Sequence, residues 1–367
     1  MTTPAPAEVS AADRARAGLV KALREAYDAD PSRPLATAVR ANLRHLWQHG
    51  GRKGDNGPGR NPEWIYIRKS FVVQPADGPT PAMSRLINSR GLQLRLFLLM
   101  LFDAQCRYGP GDTVRNVRWI SGNPAEEYEP WRQLVLSETL PTTGTARTAA
   151  ALRARQITEA MRALEDEHLL QLPRQRPDGA RRRYDPDANG ASWQLHAESS
   201  TAEEHPRYVV PEPRTAFRIA PAFFTNLWVF ALTDTELAAY LALAMLRDQF
   251  PARHQQQGVY LRADDREERF RLTRATWRST ELLHRFRLVD RARDPRRNFR
   301  TGKVGDRDNR WANRQVMPAL FTVNDTALDR PALDAIHQFL TAPTAEDQLR
   351  REKGQAAVEE ARSLGGL

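Results

Sequence analysis

The sequence predicts an α+β protein, mainly α, in which an N-terminal helical region precedes two copies of one mixed unit. Three observations carry that expectation. Apolar residues recur at helical spacing through most of the chain. The few strand-like runs are short and fall at the same place in each half. The segments that close the longest helix of each half are alike, LLQLPRQRPDGARRR from Leu169 and RLVDRARDPRRNFR from Arg287. A repeat of this length is far too long for a solenoid, so a tandem duplication is expected.

Taken in order, residues 1–85 read as helices and a basic loop. Leu19 and Leu23 mark one apolar stripe, and Leu35, Val39, Leu43 and Leu46 mark a second. Gly50 to Asn61 is a Gly-rich basic loop that reads as flexible, and Pro75 to Pro81 is a linker by its Pro and Gly content. The first unit, 86–195, is expected to hold a buried helix from Leu92 to Cys106, a strand from Val114 to Ile120 and a short helix from Pro130. A long helix from Thr148 to Glu167 and two strands around a charged turn complete it. Residues 196–225, rich in Pro and charge, read as a connector.

The second unit, 226–330, opens with Thr233 followed three residues on by Glu236, a capping box ahead of the buried stripe Leu237, Leu241 and Met245. A short strand from Gly258 to Arg262, a helix from Ala263 to Phe270 and a helix opened by Thr273 and running to Arg287 should follow. A strongly basic excursion then leads to a return strand between Gln315 and Val323. The tail, 331–367, has a small helix from Leu333 to Leu340 and a polar helical end.

Composition narrows the function classes. The 367 residues carry 55 Lys+Arg against 45 Asp+Glu, a net charge of +10, and are 41% hydrophobic, too apolar for general disorder. The bases are 50 Arg and 5 Lys, a ratio that partly reflects codon bias in a GC-rich genome. The excess of positive charge points to a polyanionic partner, with nucleic acid ahead of an acidic membrane face. Cys106 is the single cysteine, so no internal disulfide can form, and it reads as a small buried hydrophobe in a reducing compartment. Neither a secretory nor a transit signal is read at the N-terminus, and the apolar stretches are too short or too charged to span a bilayer, so a cytoplasmic, nucleoid- or plasmid-associated location is expected.

The element expected to carry function is the long helix with its following hairpin. In the first unit Ile157, Met161 and Leu164 form the buried line, which leaves Arg155, Thr158, Glu159 and Arg162 outward, with Arg147 and Arg153 near the start. In the second, Ser279, Leu283 and Phe286 are the buried line and Arg274, Trp277, Arg278 and Arg285 face outward or sideways. An amphipathic helix with an arginine-bearing face, preceded by a short helix, suits a helix-turn-helix in a major groove, where Arg reaches guanine O6 and N7 and flanking phosphates. The first hairpin carries Arg174, Arg176, Arg181, Arg182 and Arg183 against Asp178. The second, from Arg291 to Arg314, carries eight arginines, among them Arg296, Arg297 and Arg300, and Lys303, against three aspartates. Such tips repel themselves unless an anion is near, which suits phosphate or minor-groove contact.

The fragments QITEAMRALEDEHLLQL (Gln156 to Leu172) and LTRATWRSTELLHRFRLVD (Leu272 to Asp290) resemble the recognition helix and first wing strand of the winged-helix family. The resemblance covers residues 86–193 and 226–325 and implies two tandem winged helix-turn-helix domains that bind double-stranded DNA. It departs from the family where a glycine usually ends the recognition helix; His168 and Arg287 stand there and must adopt a less comfortable geometry. The tandem arrangement with an extra N-terminal region is similar to iteron-binding plasmid replication initiators. That likeness implies origin repeats as the DNA site and host replication machinery as a further partner. A transcriptional regulator, working with the transcription machinery and as a homodimer, has the same outline. A basic protein-interaction module without sequence preference is the third alternative.

Other chemistry finds little support. His45 and His49 have metal-ligand spacing but lack a third ligand, and Asp264, Asp265, Glu267 and Glu268 read as the favoured first turns of a short helix rather than a nuclease centre. No phosphate-binding loop occurs, since Gly302-Lys303 is followed by Val304, and no His-x-His pair marks a strand-nicking enzyme. The expectation is a non-enzyme without catalytic residues, metal or cofactor.

Overall fold

The computed structural model describes residues 35–52, 59–76, 78–87, 91–121, 127–136, 146–172, 193–292 and 319–341. The fold is α+β and mainly α, with three two-stranded antiparallel sheets among the described residues. Helix α1 (Leu35–His49) buries Ala36, Val39, Leu43 and Leu46 on one face, the stripe its spacing predicts apart from the half-exposed Leu35. It ends where Gly50 (φ 68°) and Gly51 (φ 72°) take left-handed conformations. Strand β1 (Ile65–Arg68) and helix α2 (Ala82–Ile87) lead into α3 (Gln93–Arg107), which is buried at every position from Gln93 to Cys106. A helix buried all round has neighbours all round, and α3 lies at the centre of the described core.

The polar side chains buried along α3 are paired. Arg95 meets Asp234 at 3.2 Å and donates to the Leu232 carbonyl at 3.0 Å. Asp103 receives Arg107 and Arg118, each at 2.6 Å. Burial pushes the Asp103 carboxyl up, but the two guanidiniums outweigh it and hold it below the usual carboxylate range. Arg118, with no exposed surface, also donates to the carbonyls of Glu129 (2.7 Å) and Gly50 (2.9 Å). One side chain therefore ties α3 to the end of α1 and to the segment entering α4 (Trp131–Leu134). The described ends of the Gly-rich loop are thus anchored, not free; residues 53–58 lie outside the described residues.

Helix α5 (Ala146–Asp166) follows, then β2 (Leu170–Gln171) paired with β3 (Gln194–Leu195). The segment expected to be a connector is built into the fold. Its Tyr208, Val210, Phe217 and Ile219 are buried, Arg207 and Val209 bridge to His196 and Thr113, and β4 (Ala216–Ile219) pairs with β1 from Ile65↔Ile219 to Arg68↔Ala216. Short alternating runs, YVV and AFRI, are concealed among the Pro and charged residues of this stretch, and their apolar members turn inward. The strand expected from Val114 to Ile120 does not form. Only Thr113 makes a bridge, Val114 donates to Tyr208 O, and Arg118 is drawn inward to Asp103.

Helices α6 (Ala222–Thr225) and α7 (Trp228–Ala231) precede α8 (Asp234–Gln249), whose capping box forms as its sequence requires. Glu236 N donates to Thr233 Oγ1 and Thr233 N to Glu236 Oε2. Helix α9 (Pro251–Gln257) and Gly258 follow. Of the strand expected over Gly258 to Arg262 only Val259 pairs, exchanging backbone bonds of 2.7 and 2.8 Å with Phe321. A side chain at Gly258 (φ 86°) would meet Phe321 O at 2.8 Å, so glycine is required there. Next come α10 (Ala263–Glu268), α11 (Arg274–Arg278) and α12 (Thr280–Arg285), then β5 (Val289–Arg291) paired with β6 (Phe321–Val323), and α13 (Ala332–Thr341). The single helix expected from Thr273 to Arg287 is interrupted at Ser279, where Thr280 Oγ1 donates to the Trp277 carbonyl and Ser279 Oγ to Thr235.

The two halves repeat one local geometry. After α5, His168 has φ 60°, and the bonds His168 N to Glu165 O and Leu169 N to Leu164 O are both 2.9 Å. After α12, Arg287 has φ 63°, with Arg287 N to His284 O at 2.9 Å and Leu288 N to Leu283 O at 3.0 Å. This is the Schellman closure in both, with a fully buried leucine following. The return strands also match, since His196 N donates to Leu169 O and Asn324 N to Leu288 O, each at 3.0 Å. The halves share one continuous core rather than two, joined at α3 and α8 by Arg95 and at Phe102, whose ring stacks on Phe224 at 4.4 Å.

Candidate nucleic-acid interface

Helix α5 buries Ile157, Met161 and Leu164, as its period requires, and turns a second stripe outward: Arg155, Glu159, Arg162 and Asp166. That stripe is balanced in charge. Arg155 spends its cation on Glu159, 2.8 Å away on an exposed surface, where such a pair contributes little. Thr158, expected to face outward, is buried, and its hydroxyl donates to the Ala154 carbonyl one turn back. Its burial, and not the bond alone, sets Thr158 apart from the outward stripe. Arg153 is half-buried, and its Nε finds no acceptor among the described residues. Burial, with Arg132 nearby, lowers the proton affinity of its guanidinium. Arg147 lies in the first turn of α5, and its side chain is outside the described residues.

The second unit has a more positive face. Thr273 caps α11 by accepting from Thr276 N, and this sets Arg274 and Arg278 outward, both exposed. Neither has a carboxylate in ion-pair range among the described residues. Arg285 continues the line and meets Glu281 at 3.3 Å. Arg271 precedes it, exposed, with φ 54°, its Nε donating to Gln74. Arg274 and Arg278 on α11 and Glu281 and Arg285 on α12 are thus all exposed, three arginines to one glutamate, with Arg271 exposed in the turn ahead of them. Trp277, expected outward or sideways, lies sideways and meets the Phe321 ring edge-on at 6.0 Å. It packs α11 against β6 and stays half-buried.

The hairpin tips, with Arg174, Arg176, Arg181, Arg182 and Arg183 in the first and Arg296, Arg297, Arg300 and Lys303 in the second, lie outside the described residues. What is described is the frame that launches them, β2 with β3 and β5 with β6. Sequence reasoning missed two cations beside these helices. Arg132, on α4, neighbours Arg153; the signal was its place in the short helix before α5. Arg271 was hidden because its left-handed backbone lies in a turn.

Among the described residues no group of three or more His, Cys, Asp or Glu could hold a metal ion. His45 and His49 stack on each other, with ring centroids 5.1 Å apart. On α10, Asp265 lies 3.9 Å from Arg269, and Glu267 pairs with Arg266. No described helix is long and apolar enough to cross a membrane. No family model, curated protein or solved structure matches the chain.

Proposed function

We propose that the chain is a sequence-specific double-stranded DNA-binding protein built on two tandem winged helix-turn-helix units. The observation that carries this reading is the repeated helix end. The same left-handed residue, the same pair of closing hydrogen bonds and the same strand pairing occur in both halves, each beside an outward helix and ahead of a strongly basic tip. In this reading α11 and α12 enter a major groove with Arg274, Arg278 and Arg285 at the bases or flanking phosphates. Helix α5 takes a neighbouring position in which Arg153 and Arg162 meet the backbone, and the basic tips hold phosphates. The charge balance of the two helices makes the second unit the main reader and the first the positioning one.

Among DNA-binding roles, replication initiation at clustered origin repeats is the proposed one, resting on the resemblance of the tandem arrangement to plasmid initiators. The experiment is selection of fragments of the source organism's DNA, plasmids included, by the purified protein, read by sequencing. Enrichment of clustered direct repeats beside the protein's own gene supports an initiator. Scattered promoter sites would make it a transcriptional regulator, and no enrichment would remove sequence-specific binding altogether.

A further inference from the structure

The elbow between α8 and α9, the extended residues 259–262 and helix α10 enclose an open cavity of about 270 Å³. Its floor is apolar, with Leu246, Leu261 and Phe270 all buried. Arg253 and Arg269 stand on its rim, and Asp265, 3.9 Å from Arg269, is the one carboxylate among its described lining residues. The Arg253 guanidinium lies over the Tyr260 ring at 4.2 Å, while its buried Nε has no hydrogen-bond acceptor among the described residues. Phe250, on the same rim, is 44% exposed and is the one large apolar side chain left exposed among the described residues.

We propose that this cavity binds a phosphate monoester carrying a planar ring, a ligand the size of a nucleoside monophosphate. Arg253 and Arg269 against the one lining aspartate leave a positive excess that an anion matches, and guanidinium forks fit phosphate oxygens. An exposed phenylalanine beside a stacked Tyr–Arg pair offers a planar group a surface it would otherwise lack. A desolvated Nε without an acceptor is a donor waiting for one. The volume lies just below the range for ligand sites, roughly 300–1,000 Å³, and so has room for one nucleotide-sized group, free or at the end of a chain. The cavity wall is α10, and Gln74 N donates to Arg269 O at 2.7 Å, so the ligand sits where the 72–76 segment meets the approach to α11. The inference does not depend on the DNA-binding reading.

Isothermal titration calorimetry on the full chain tests it, with AMP and GMP as probes of a free ligand and a 5′-phosphorylated trinucleotide as a probe of a DNA end. Adenosine and inorganic phosphate serve as partial ligands. One site per chain is expected, with either phosphorylated probe binding about tenfold or more tighter than adenosine or phosphate alone. The tighter of the two phosphorylated probes identifies the source of the ligand. Phe250→Ala and Arg269→Gln, both at exposed positions that leave the core intact, and Arg253→Gln should each weaken binding about tenfold. Absence of binding by every phosphorylated probe at millimolar concentration would overturn the proposal. So would binding that Phe250→Ala and Arg269→Gln leave unchanged.

Discussion

Arg118 shows how much of this protein is decided by single buried cations. Its guanidinium satisfies Asp103 and the carbonyls of Gly50 and Glu129 from a position with no solvent contact, so its removal strands acceptors from three segments. Arg118→Ala should cost about 3–5 kcal/mol of stability in urea unfolding, the range for breaking a buried pair by deleting one member. A loss below about 1 kcal/mol would mean that water replaces it easily. At the proposed interface the expectation is reversed. Arg278 is exposed and has no ion-pair partner among the described residues, so Arg278→Ala should leave stability within about 0.5 kcal/mol. It should weaken the specific complex by about 1–3 kcal/mol and relax specificity at one base position. Arg155→Ala should do less, because Glu159 already offsets that charge. Histidines add a pH dependence. His254 Nε2 accepts from Val323 N at 2.8 Å, which needs the neutral ring, and burial together with Arg247 lowers its proton affinity; burial likewise lowers that of His196. Both groups add stability that is fully present above the unfolded histidine value of about 6.5 and is lost as pH falls from there through the folded values. Urea midpoints should therefore drop between pH 7.5 and 5.5, and His254→Gln should flatten that drop.

At the scale of elements, most helices and the strand pairs that follow the two long helical segments were legible, whereas the unbroken helix expected from Thr273 to Arg287 and two isolated strands were not. Thr233 with Glu236, the stripe of α1 and the buried line of α5 are local patterns, and local hydrogen bonding and period decide them. The strain at His168 and Arg287 was legible for the same reason, since a non-glycine at the helix end must take a left-handed conformation to close it. His168→Gly should accordingly raise stability by about 1 kcal/mol. An unchanged or lower midpoint would mean that the His168 environment outweighs the backbone strain. The strands expected over 114–120 and 258–262 failed because their pairing depends on partners distant in sequence. Residues 113–114 find the 208–209 segment, and Val259 finds only Phe321. Outward direction was legible for Arg155, Arg162, Arg274, Arg278 and Arg285 but failed for Thr158, while Trp277 lies sideways, half-buried and packed. An amphipathic period identifies a face, but not that a threonine at its border bonds its own helix or that an indole is needed against β6.

For the whole molecule, the sequence reading of two units on a connector missed their fusion. Residues 207–219 looked like a spacer because Pro and charge mask alternating apolar residues, yet they close one sheet and extend another contact at Thr113. With Arg95 and the Phe102–Phe224 stack joining the halves, heating should give one cooperative transition by calorimetry; two separated transitions would restore independent domains. A joined pair also fixes the spacing of its two outward helices before any DNA is met, which favours one defined separation of half-sites. The central claim is that an arginine-bearing helix in each half engages duplex DNA. The most direct measurement is fluorescence anisotropy of a selected duplex with the full chain and with Arg274→Ala/Arg278→Ala, from 50 to 200 mM salt. If the complex involves about eight phosphates, affinity should fall on the order of 10³-fold or more over that range, and the double variant should lose its preference for the selected duplex while staying folded. A salt-insensitive complex, or a variant that discriminates like the parent, would contradict the account.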